Sequence, residues 1–272
     1  MSEDIVEDVG GRGSWAVVAG STGGVGRETA LRLAEDGYSI VVCGRDGAGA
    51  EETRKLIEWA GGRAVDLVAD LGDAAAVRGL IAETVEVVAG APIDALVNNA
   101  GEADYGSAED VFDTVFNRNV KAPLLFTGAF APLMVERGRG AIVNVGGFGA
   151  LAGGGQVQAA KAALMMLTRL WAAEYGPKGV RVSFVDLGYP FTSAAEHRVE
   201  LNPGYPRSVS TGGGGPAEVA EAIRFLVSPR AAAVQGALLT MTGAASVAES
   251  HGCPPPRDGH RQVSGTRHWK QS

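Results

Sequence analysis

The sequence is poor in cysteine and has no excess of positive charge. Its 272 residues include two cysteines, which indicate no disulfide framework. The formal net charge is −7, and no basic stripe offers a surface to nucleic acid, so we expect no nucleic-acid partner. His260 and His268 are too far apart in the chain to form a metal-binding motif, and we expect no metal site.

Long apolar runs are also missing. No stretch is long enough to cross a bilayer, and residues 1–13 lack the apolar segment of a signal peptide. We therefore expect a cytoplasmic protein with no membrane partner. We also expect residues 1–13 to form a flexible extension and residues 250–272, which contain three consecutive prolines, to form a mobile tail.

Between these ends, short apolar runs alternate with helical patterns. Runs that are apolar throughout are typical of strands in a parallel sheet that is covered on both faces. No linker interrupts the pattern, so residues 14–249 are predicted to form one α/β domain. We predict a Rossmann fold, a doubly wound seven-stranded parallel sheet with helices on both faces. The strands are expected at residues 15–19, 39–43, 64–68, 95–97, 141–145, 180–185 and 237–241.

A glycine-rich turn lies between the first predicted strand and the helix that follows it. Glycines let the backbone turn tightly and approach a pyrophosphate, and a helix N-terminus offers free N–H groups and a positive dipole end. Such a turn is a weak signal alone, because glycines also form ordinary turns. The candidate phosphate-binding residues are Gly20, Ser21, Thr22, Gly24, Val25 and Gly26.

Further motifs follow in order, and together they resemble the short-chain dehydrogenase/reductase family from about residue 14 to residue 243. Two positions depart from the usual motifs, with Ala19 in place of threonine and Leu187 in place of proline. The resemblance implies that the protein binds a nicotinamide dinucleotide and a small-molecule substrate. The matching segments are Gly20-x3-Gly24-x-Gly26, Asp70-Leu71, Asn98-Asn99-Ala100-Gly101, Asn119-Val120, Ile142-Val143-Asn144-Val145, Lys161, and Gly188 with Thr192. The further cofactor-binding residues that it implies are Arg45, Asp70, Leu71, Asn98, Ala100, Gly101, Lys161, Gly188 and Thr192.

The end of the second strand bears on the choice of cofactor. An NAD enzyme usually has an acid there to hold the ribose 2′-OH, but here the strand ends in Cys43-Gly44. Arg45 follows, and a guanidinium pairs with a phosphate through two hydrogen bonds. In the family an arginine at this position implies NADP(H), which we predict rather than NAD(H). Alternatively, Arg45 is a surface residue beside Asp46, which would cap the next helix.

Two of the family's four catalytic residues are missing. In the family a tyrosine protonates the substrate, a lysine four residues later holds the ribose, a serine orients the carbonyl and an asparagine supports a water relay. Here Val157 stands four residues before Lys161, and Gly147 occupies the serine position. Lys161 and Asn119 remain as candidate catalytic residues. Alternatively, Lys161 only holds the ribose, and Asn119 satisfies a backbone carbonyl where Pro123 perturbs the helix.

Two tyrosines are further candidates for the proton donor. Tyr105 follows the Asn-Asn-Ala-Gly segment and is expected at the mouth of the substrate pocket. Tyr189 follows Gly188 in a loop expected near the nicotinamide. Either tyrosine is alternatively an aromatic wall of the pocket. Residues 192–215 are rich in Gly, Pro and Ser and form a candidate lid.

Three functions remain open. General acid catalysis contributes roughly 10²- to 10⁴-fold, whereas hydride transfer belongs to the cofactor. The first hypothesis is therefore an atypical NADPH-dependent reductase of an activated carbonyl, quinone or iminium, including aromatic or polyketide-like biosynthetic substrates. The second is a non-redox cyclase, dehydratase or isomerase, and the third is a non-catalytic partner subunit of an active family member. The resemblance also implies a homodimer or homotetramer formed through the helices that bear Asn119 and Lys161.

Overall fold

The structure, a computed structural model, describes residue 11 and residues 13–101, 108–147, 155–187 and 215–241. Strands and helices alternate along this part of the chain. The strands are β1 (Trp15–Ala19), β2 (Ser39–Gly44), β3 (Ala64–Val68), β4 (Ile93–Asn98), β5 (Gly140–Gly146), β6 (Val180–Asp186) and β7 (Leu238–Thr240). The helices are α1 (Gly24–Glu35), α2 (Gly47–Trp59), α3 (Ala74–Val88), α4 (Ala108–Phe116), α5 (Ala122–Glu136), α6 (Gly155–Tyr175) and α7 (Pro216–Val227). A π-helical turn (Asn117–Lys121) joins α4 to α5.

The seven strands form one sheet in the order β3-β2-β1-β4-β5-β6-β7. Every pairing in it is parallel. The predicted doubly wound Rossmann sheet is therefore confirmed. The strand order reverses between β1 and β4, and ligands of such sheets bind in the crevice beyond the carboxyl ends of the strands at that point.

Side chains of each central strand alternate between two hydrophobic cores. In β1, Trp15 and Val17 face the core that contains Phe126 of α5. Ala16 and Val18 face the opposite core, to which helices α1, α2 and α7 contribute. All five residues of β1 are buried, because a parallel sheet covered on both faces leaves neither side of a central strand in water.

Strand β4 starts at Ile93, two residues earlier than predicted. It includes the buried carboxylate of Asp94, which other parts of the chain neutralise. Asp94 is 7% exposed. Its Oδ2 accepts a hydrogen bond from Ser14 Oγ at 2.8 Å and lies 2.8 Å from Arg139 Nη2. A buried charge is tolerated when it is paired and hydrogen-bonded. Both partners come from other parts of the chain, so periodicity within β4 cannot reveal them.

A buried polar chain links the carboxyl ends of β4 and β5 to α6. Asn98 Nδ2 donates to Asn144 Oδ1 at 2.8 Å, and Asn144 Nδ2 donates to Thr168 Oγ1 at 2.8 Å. Such a network stabilises one arrangement of its elements, since breaking it leaves polar groups buried without partners. The position of α6 is thereby tied to the two strands that end beside the crevice.

Within the described residues, no helix is both long enough and apolar enough to span a membrane.

We predict that Phe126→Ala strongly destabilises the protein. Phe126 is fully buried and its ring stacks on that of Phe130, so removing it leaves a cavity and should lower the free energy of unfolding by about 3–5 kcal/mol. Urea unfolding followed by circular dichroism measures this. Trp59→Ala is the matched control, because Trp59 is 91% exposed and its loss should cost less than about 0.5 kcal/mol. Equal losses for both variants would contradict the assigned core.

Candidate active site

The turn after β1 is built from close backbone contacts. Gly20 has a φ of +78°, and a Cβ on it would lie 2.8 Å from the Cα of Ala100. A Cβ on Gly26 would lie 2.0 Å from the carbonyl oxygen of Gly20. Only glycine fits at both positions. The turn therefore lies directly against the end of β4 and the start of α1.

The N-terminus of α1 has open space around it in the part of the chain that the structure describes. Gly23 is the N-cap residue and the cap has no side-chain hydrogen bond, and a Cβ at Gly23 or Gly24 would meet no described residue within 4 Å. The first N–H groups of a helix have no intrahelical partner, and together with the helix dipole they attract anions. This end of α1, with Val25 buried behind it, fits a pyrophosphate.

Two side chains of the turn serve to hold its shape. Ser21 Oγ donates to the carbonyl oxygen of Val18 at 2.6 Å and accepts from the backbone N–H of Cys43 at 3.1 Å. Thr22 lies against Gly44, where a Cβ would be 2.8 Å from Thr22 Cγ2. The hydroxyl of Ser21 therefore faces the protein. Its backbone N–H also donates to the carbonyl oxygen of Cys43 at 3.2 Å, and its carbonyl oxygen accepts from Thr53 Oγ1 at 2.9 Å, so Ser21 supports the turn and is not itself a ligand of the phosphate.

Arg27 stabilises the turn from outside, which the sequence analysis missed. Its guanidinium donates to the carbonyl oxygen of Thr22 at 2.8 Å, to Thr53 Oγ1 at 3.0 Å and to Glu52 Oε2 at 2.7 Å. The turn is thereby tied to α2. In the sequence Arg27 looks like an ordinary helical surface residue, because its partners on α2 are about 25 positions away.

Arg45 and Asp70 follow neighbouring strand ends. The N–H of Ala69 donates to the carbonyl oxygen of Gly44 at 3.0 Å, so the residues after β2 and β3 lie side by side. Arg45 and Asp70 are exposed, while Leu71 is buried in the core. Asp46, considered above as a helix cap, does cap α2, since its Oδ1 accepts from the N–H of Gly49 at 3.1 Å.

The Asp70 carboxylate has two donors. Its Oδ1 accepts from the N–H of Gly72 at 2.9 Å and from Arg118 Nη2 at 3.3 Å. The Gly72 N–H, the adjacent Arg118 and the positive charge of Arg45 hold the pKa of Asp70 below its ordinary value. Arg118 lies on the π-helical turn 48 positions away and is not among the predicted site residues.

The asparagines at the end of β4 support the crevice. Asn98 is buried and bonded to Asn144, as described above. Asn99 Nδ2 donates to the carbonyl oxygen of Gly20 at 3.0 Å. Of the predicted cofactor-binding residues in this segment, Asn98 is therefore a support beneath the crevice, whereas Ala100 forms part of its backbone wall.

Lys161 is buried on α6 and faces the crevice. Its Nζ donates to the carbonyl oxygen of Val145 at 3.0 Å and lies 3.5 Å from that of Ala100. A Cβ on Gly101 would lie 2.6 Å from this Nζ. Burial disfavours the charged ammonium and lowers the pKa of Lys161 to about 8. The lysine therefore exchanges a proton close to neutral pH.

Asn119 approaches the same point from the π-helical turn. Its Nδ2 donates to the carbonyl oxygen of Val115 at 2.9 Å, which agrees with the predicted role of satisfying a backbone carbonyl. Its Oδ1 is buried without a hydrogen-bond partner among the described residues. This oxygen would lie 2.8 Å from a Cβ on Gly101. Lys161 and Asn119 thus converge beside Gly101.

Val157, one helical turn before Lys161, has an apolar side chain and packs against apolar side chains. Val157 is partly buried against a cluster formed by Val111, Val115 and Ala160. On β5, a Cβ on Gly146 would lie 2.3 Å from Cζ of Phe184, so that ring fills the space beside the strand end. The next residue, Gly147, occupies the position of the missing serine.

The remaining candidates, Tyr105, Gly188, Tyr189 and Thr192, lie outside the described residues.

The glycine-rich turn lies against the N-terminus of α1, at the point where the strand order of the doubly wound sheet reverses. These features define the structural class of the protein. The protein has the architecture of dinucleotide-binding α/β proteins.

The family profile described as short chain dehydrogenase matches residues 14–202. The chain is 34% identical over 240 residues to a (2S)-[(R)-hydroxy(phenyl)methyl]succinyl-CoA dehydrogenase subunit of Thauera aromatica, covering 85% of this chain and 96% of the relative. A crystal structure described as a short-chain dehydrogenase/reductase from Burkholderia xenovorans superposes with a TM-score of 0.78 at 29% identity, covering 87% and 97% of the two chains. An NAD(P)-dependent gluconate 5-dehydrogenase from Beutenbergia cavernae with bound NADP gives 0.74 at 31% identity, covering 87% and 98%. The chain belongs to the short-chain dehydrogenase/reductase family.

We predict that the charge of Lys161 costs stability at neutral pH. Its folded-state pKa of about 8 lies below the ordinary 10.5, so between these values the unfolded chain binds more protons, and stability rises with pH. The free energy of unfolding of the wild type should therefore rise relative to Lys161→Met by on the order of 3 kcal/mol from pH 7.5 to 10.5.

Urea unfolding of both proteins across this pH range measures the difference. Comparing the two cancels the opposing contributions of Tyr38 and Cys43, whose pKa values burial raises to about 12. A difference that stays constant with pH would show that Lys161 has an ordinary pKa in the folded protein.

Proposed function

We propose that the protein is an NADP(H)-dependent reductase of an activated carbonyl, quinone or iminium compound that works without the family's usual tyrosine and serine. The observation that carries this proposal is the setting of Val157. Its side chain packs in an apolar cluster one turn before the buried Lys161, so the position cannot supply a proton. We therefore propose a reaction in which Lys161, water or the substrate itself supplies the proton.

The crevice fits a dinucleotide. The N-terminus of α1 has no side-chain cap, and no described residue lies within 4 Å of a Cβ on Gly23 or Gly24, which matches a site for a pyrophosphate. Lys161 and Asn119 meet beside Gly101, where Lys161 would hold the ribose. When bound, the dinucleotide supplies the hydride.

The contact between Gly44 and Thr22 supports NADP(H). An acid at position 44, which would hold the 2′-OH of NAD, would place its Cβ 2.8 Å from Thr22 Cγ2. Arg45 follows on the exposed side, and a guanidinium matches a phosphate better than a hydroxyl. An acid at the position that selects NAD would therefore have to displace the Thr22 side chain, and the next residue suits a 2′-phosphate.

Lys161 and Asn119 handle protons in this proposal. With a pKa of about 8, Lys161 carries its proton at neutral pH and releases it readily. The buried Oδ1 of Asn119 offers an acceptor beside it. A water held between the two side chains would supply the proton that a quinone or activated carbonyl needs once it has accepted a hydride, whereas an iminium becomes a neutral amine and needs none. This water would not polarise an ordinary ketone as a phenol does.

NADPH oxidation measured at 340 nm tests this function. We expect turnover with quinones, iminium compounds and aromatic ketones that bear a neighbouring phenol, and no measurable turnover with simple aliphatic ketones. Lys161→Met should bind NADPH more weakly and lose most of the activity, whereas Lys161→Arg should retain NADPH binding. Turnover that requires no dinucleotide would contradict the proposal and favour a cyclase, dehydratase or isomerase.

Val157→Tyr is the matched gain-of-function control. It places a phenol one turn before Lys161, and it should raise reduction of simple ketones by on the order of 10- to 100-fold. Val157→Phe adds the same ring without the hydroxyl and should give no gain. If both variants or neither gain activity while still binding NADPH, the missing phenol is not what limits the chemistry.

A second candidate, a partner subunit of an active family member, is favoured by two observations. The Thauera relative is itself described as a subunit of a dehydrogenase. Large apolar side chains are also exposed on α4, α5 and α6, and we call this set the apolar helix face. It comprises Phe112, Leu124, Met166 and Leu170, each 45–58% exposed. Binding of NADPH without turnover of any substrate in the panel would favour this candidate over the reductase.

In either case we expect the protein to self-associate or pair through the apolar helix face. Met166 and Leu170 lie one turn apart on α6, so a Met166→Glu, Leu170→Glu double variant places two charges in the contact and should reduce the mass measured by light scattering to that of a monomer. Trp59→Glu, which changes an exposed aromatic residue on α2, is the control and should leave the mass unchanged. A wild type that is monomeric on its own at micromolar concentration would contradict self-association and favour the partner-subunit candidate.

A further inference from the structure

Arg118 is a buried charge that the proposed chemistry does not use. Its side chain is 7% exposed, although it carries a guanidinium, and its Nη2 lies 3.3 Å from Oδ1 of Asp70. The Asp70 side chain is 54% exposed. A Cβ on Gly72 would lie 3.3 Å from the same Nη2, so the guanidinium also lies against the backbone after β3. A cation this deep is tolerated because it is paired.

The sheet brings a second arginine to the same carboxylate. Gly44 and Val68 are register partners in β2 and β3, and the N–H of Ala69 donates to the carbonyl oxygen of Gly44. Arg45 directly follows Gly44 and Asp70 directly follows Ala69, so both residues leave the sheet at the same edge. The charge of Arg45 contributes to the lowered pKa of Asp70, which is consistent with this placement. The Asp70 carboxylate is thus paired with the guanidinium of Arg118 and lies within the electrostatic influence of Arg45.

The charge balance of this group matters for an anion bound beside Arg45. Asp70 alone would cancel the positive charge of Arg45 and repel a phosphate. Arg118 neutralises Asp70 from the buried side, so the three side chains together carry one net positive charge. Electrostatic interactions are stronger for a partly buried group than for one in water, so a buried guanidinium is an effective counterion.

Resting on the NADP(H) binding proposed above, we propose that Arg118 is a specificity-determining residue that favours a 2′-phosphorylated dinucleotide over its unphosphorylated form. It does so by neutralising Asp70, without touching the phosphate itself. Arg45 is the direct phosphate ligand, and Arg118 sets the local charge in which Arg45 acts.

The ratio of two affinities isolates this role. NADP⁺ and NAD⁺ share the adenine, the pyrophosphate and both riboses and differ only in the 2′-phosphate. Any change in adenine binding or in the shape of the turn therefore affects both affinities and largely cancels in their ratio. A change in the charge near the 2′-position does not cancel. A merely structural role for Arg118 would lower both affinities together.

Isothermal titration of NADP⁺ and NAD⁺ into Arg118→Gln, Arg118→Lys and Asp70→Asn at low ionic strength tests the proposal. Arg118→Gln removes the charge and should lower the preference for NADP⁺ by on the order of three- to tenfold. Arg118→Lys retains the charge and should keep the preference within about twofold. Asp70→Asn removes the opposing charge and should raise the preference by on the order of three- to tenfold. At 0.5 M KCl these differences should shrink, because salt screens partly exposed charges.

The outcomes separate this inference from the function on which it rests. If the wild type binds neither dinucleotide, the proposed function fails. If the wild type prefers NADP⁺ and Arg118→Gln keeps that preference, only the role of Arg118 fails. Thermal unfolding checks that each variant is folded. If Arg118→Gln does not fold, the Asp70→Asn variant tests the inference in its place. An unchanged or lower preference of Asp70→Asn for NADP⁺ would overturn the inference.

Discussion

The contact between the turn after β1 and the end of β4 is the constraint on which the rest of the site depends. Gly20 approaches Ala100 so closely that a Cβ on it would lie 2.8 Å from the Cα of Ala100, and Asn99 donates to the Gly20 carbonyl oxygen. This contact can form only because β1 and β4 are adjacent in the sheet, where the strand order reverses. It opens the N-terminus of α1 on one side and places Gly101 beside Lys161 on the other.

Two buried cations lie beneath this crevice, and their surroundings differ. Lys161 has backbone carbonyl oxygens as acceptors, and burial lowers its pKa to about 8. Arg118 has a carboxylate as partner. A lysine among neutral acceptors can lose its proton near neutral pH, whereas an arginine remains charged. The first arrangement suits proton exchange and the second suits a fixed electrostatic field, which matches the roles proposed for them.

Most of the fold could be predicted from the sequence, because strands buried on both faces are apolar throughout. The first two residues of β4 were not predicted, because a charged residue with distant partners does not look like part of an apolar strand. Asp94 interrupts the apolar run, and its partners Ser14 and Arg139 are distant in sequence. The phosphate turn was predicted from its glycines, and the hydroxyl of Ser21 was found to face the protein. Arg27 and Arg118 were missed because each resembles a surface arginine until its partners are known.

The parallel sheet, the glycine turn and the valine one helical turn before Lys161 can all be predicted from the amino-acid sequence. These depend on local patterns, such as apolar strands, glycine spacing and the periodicity of a helix. Three other features appear first in the folded chain: Lys161 and Asn119 meet beside Gly101, Thr22 lies against Gly44, and Arg118 pairs with Asp70. Each of these contacts joins segments that are brought together when the sheet forms, and no local pattern records which distant residue a side chain will meet.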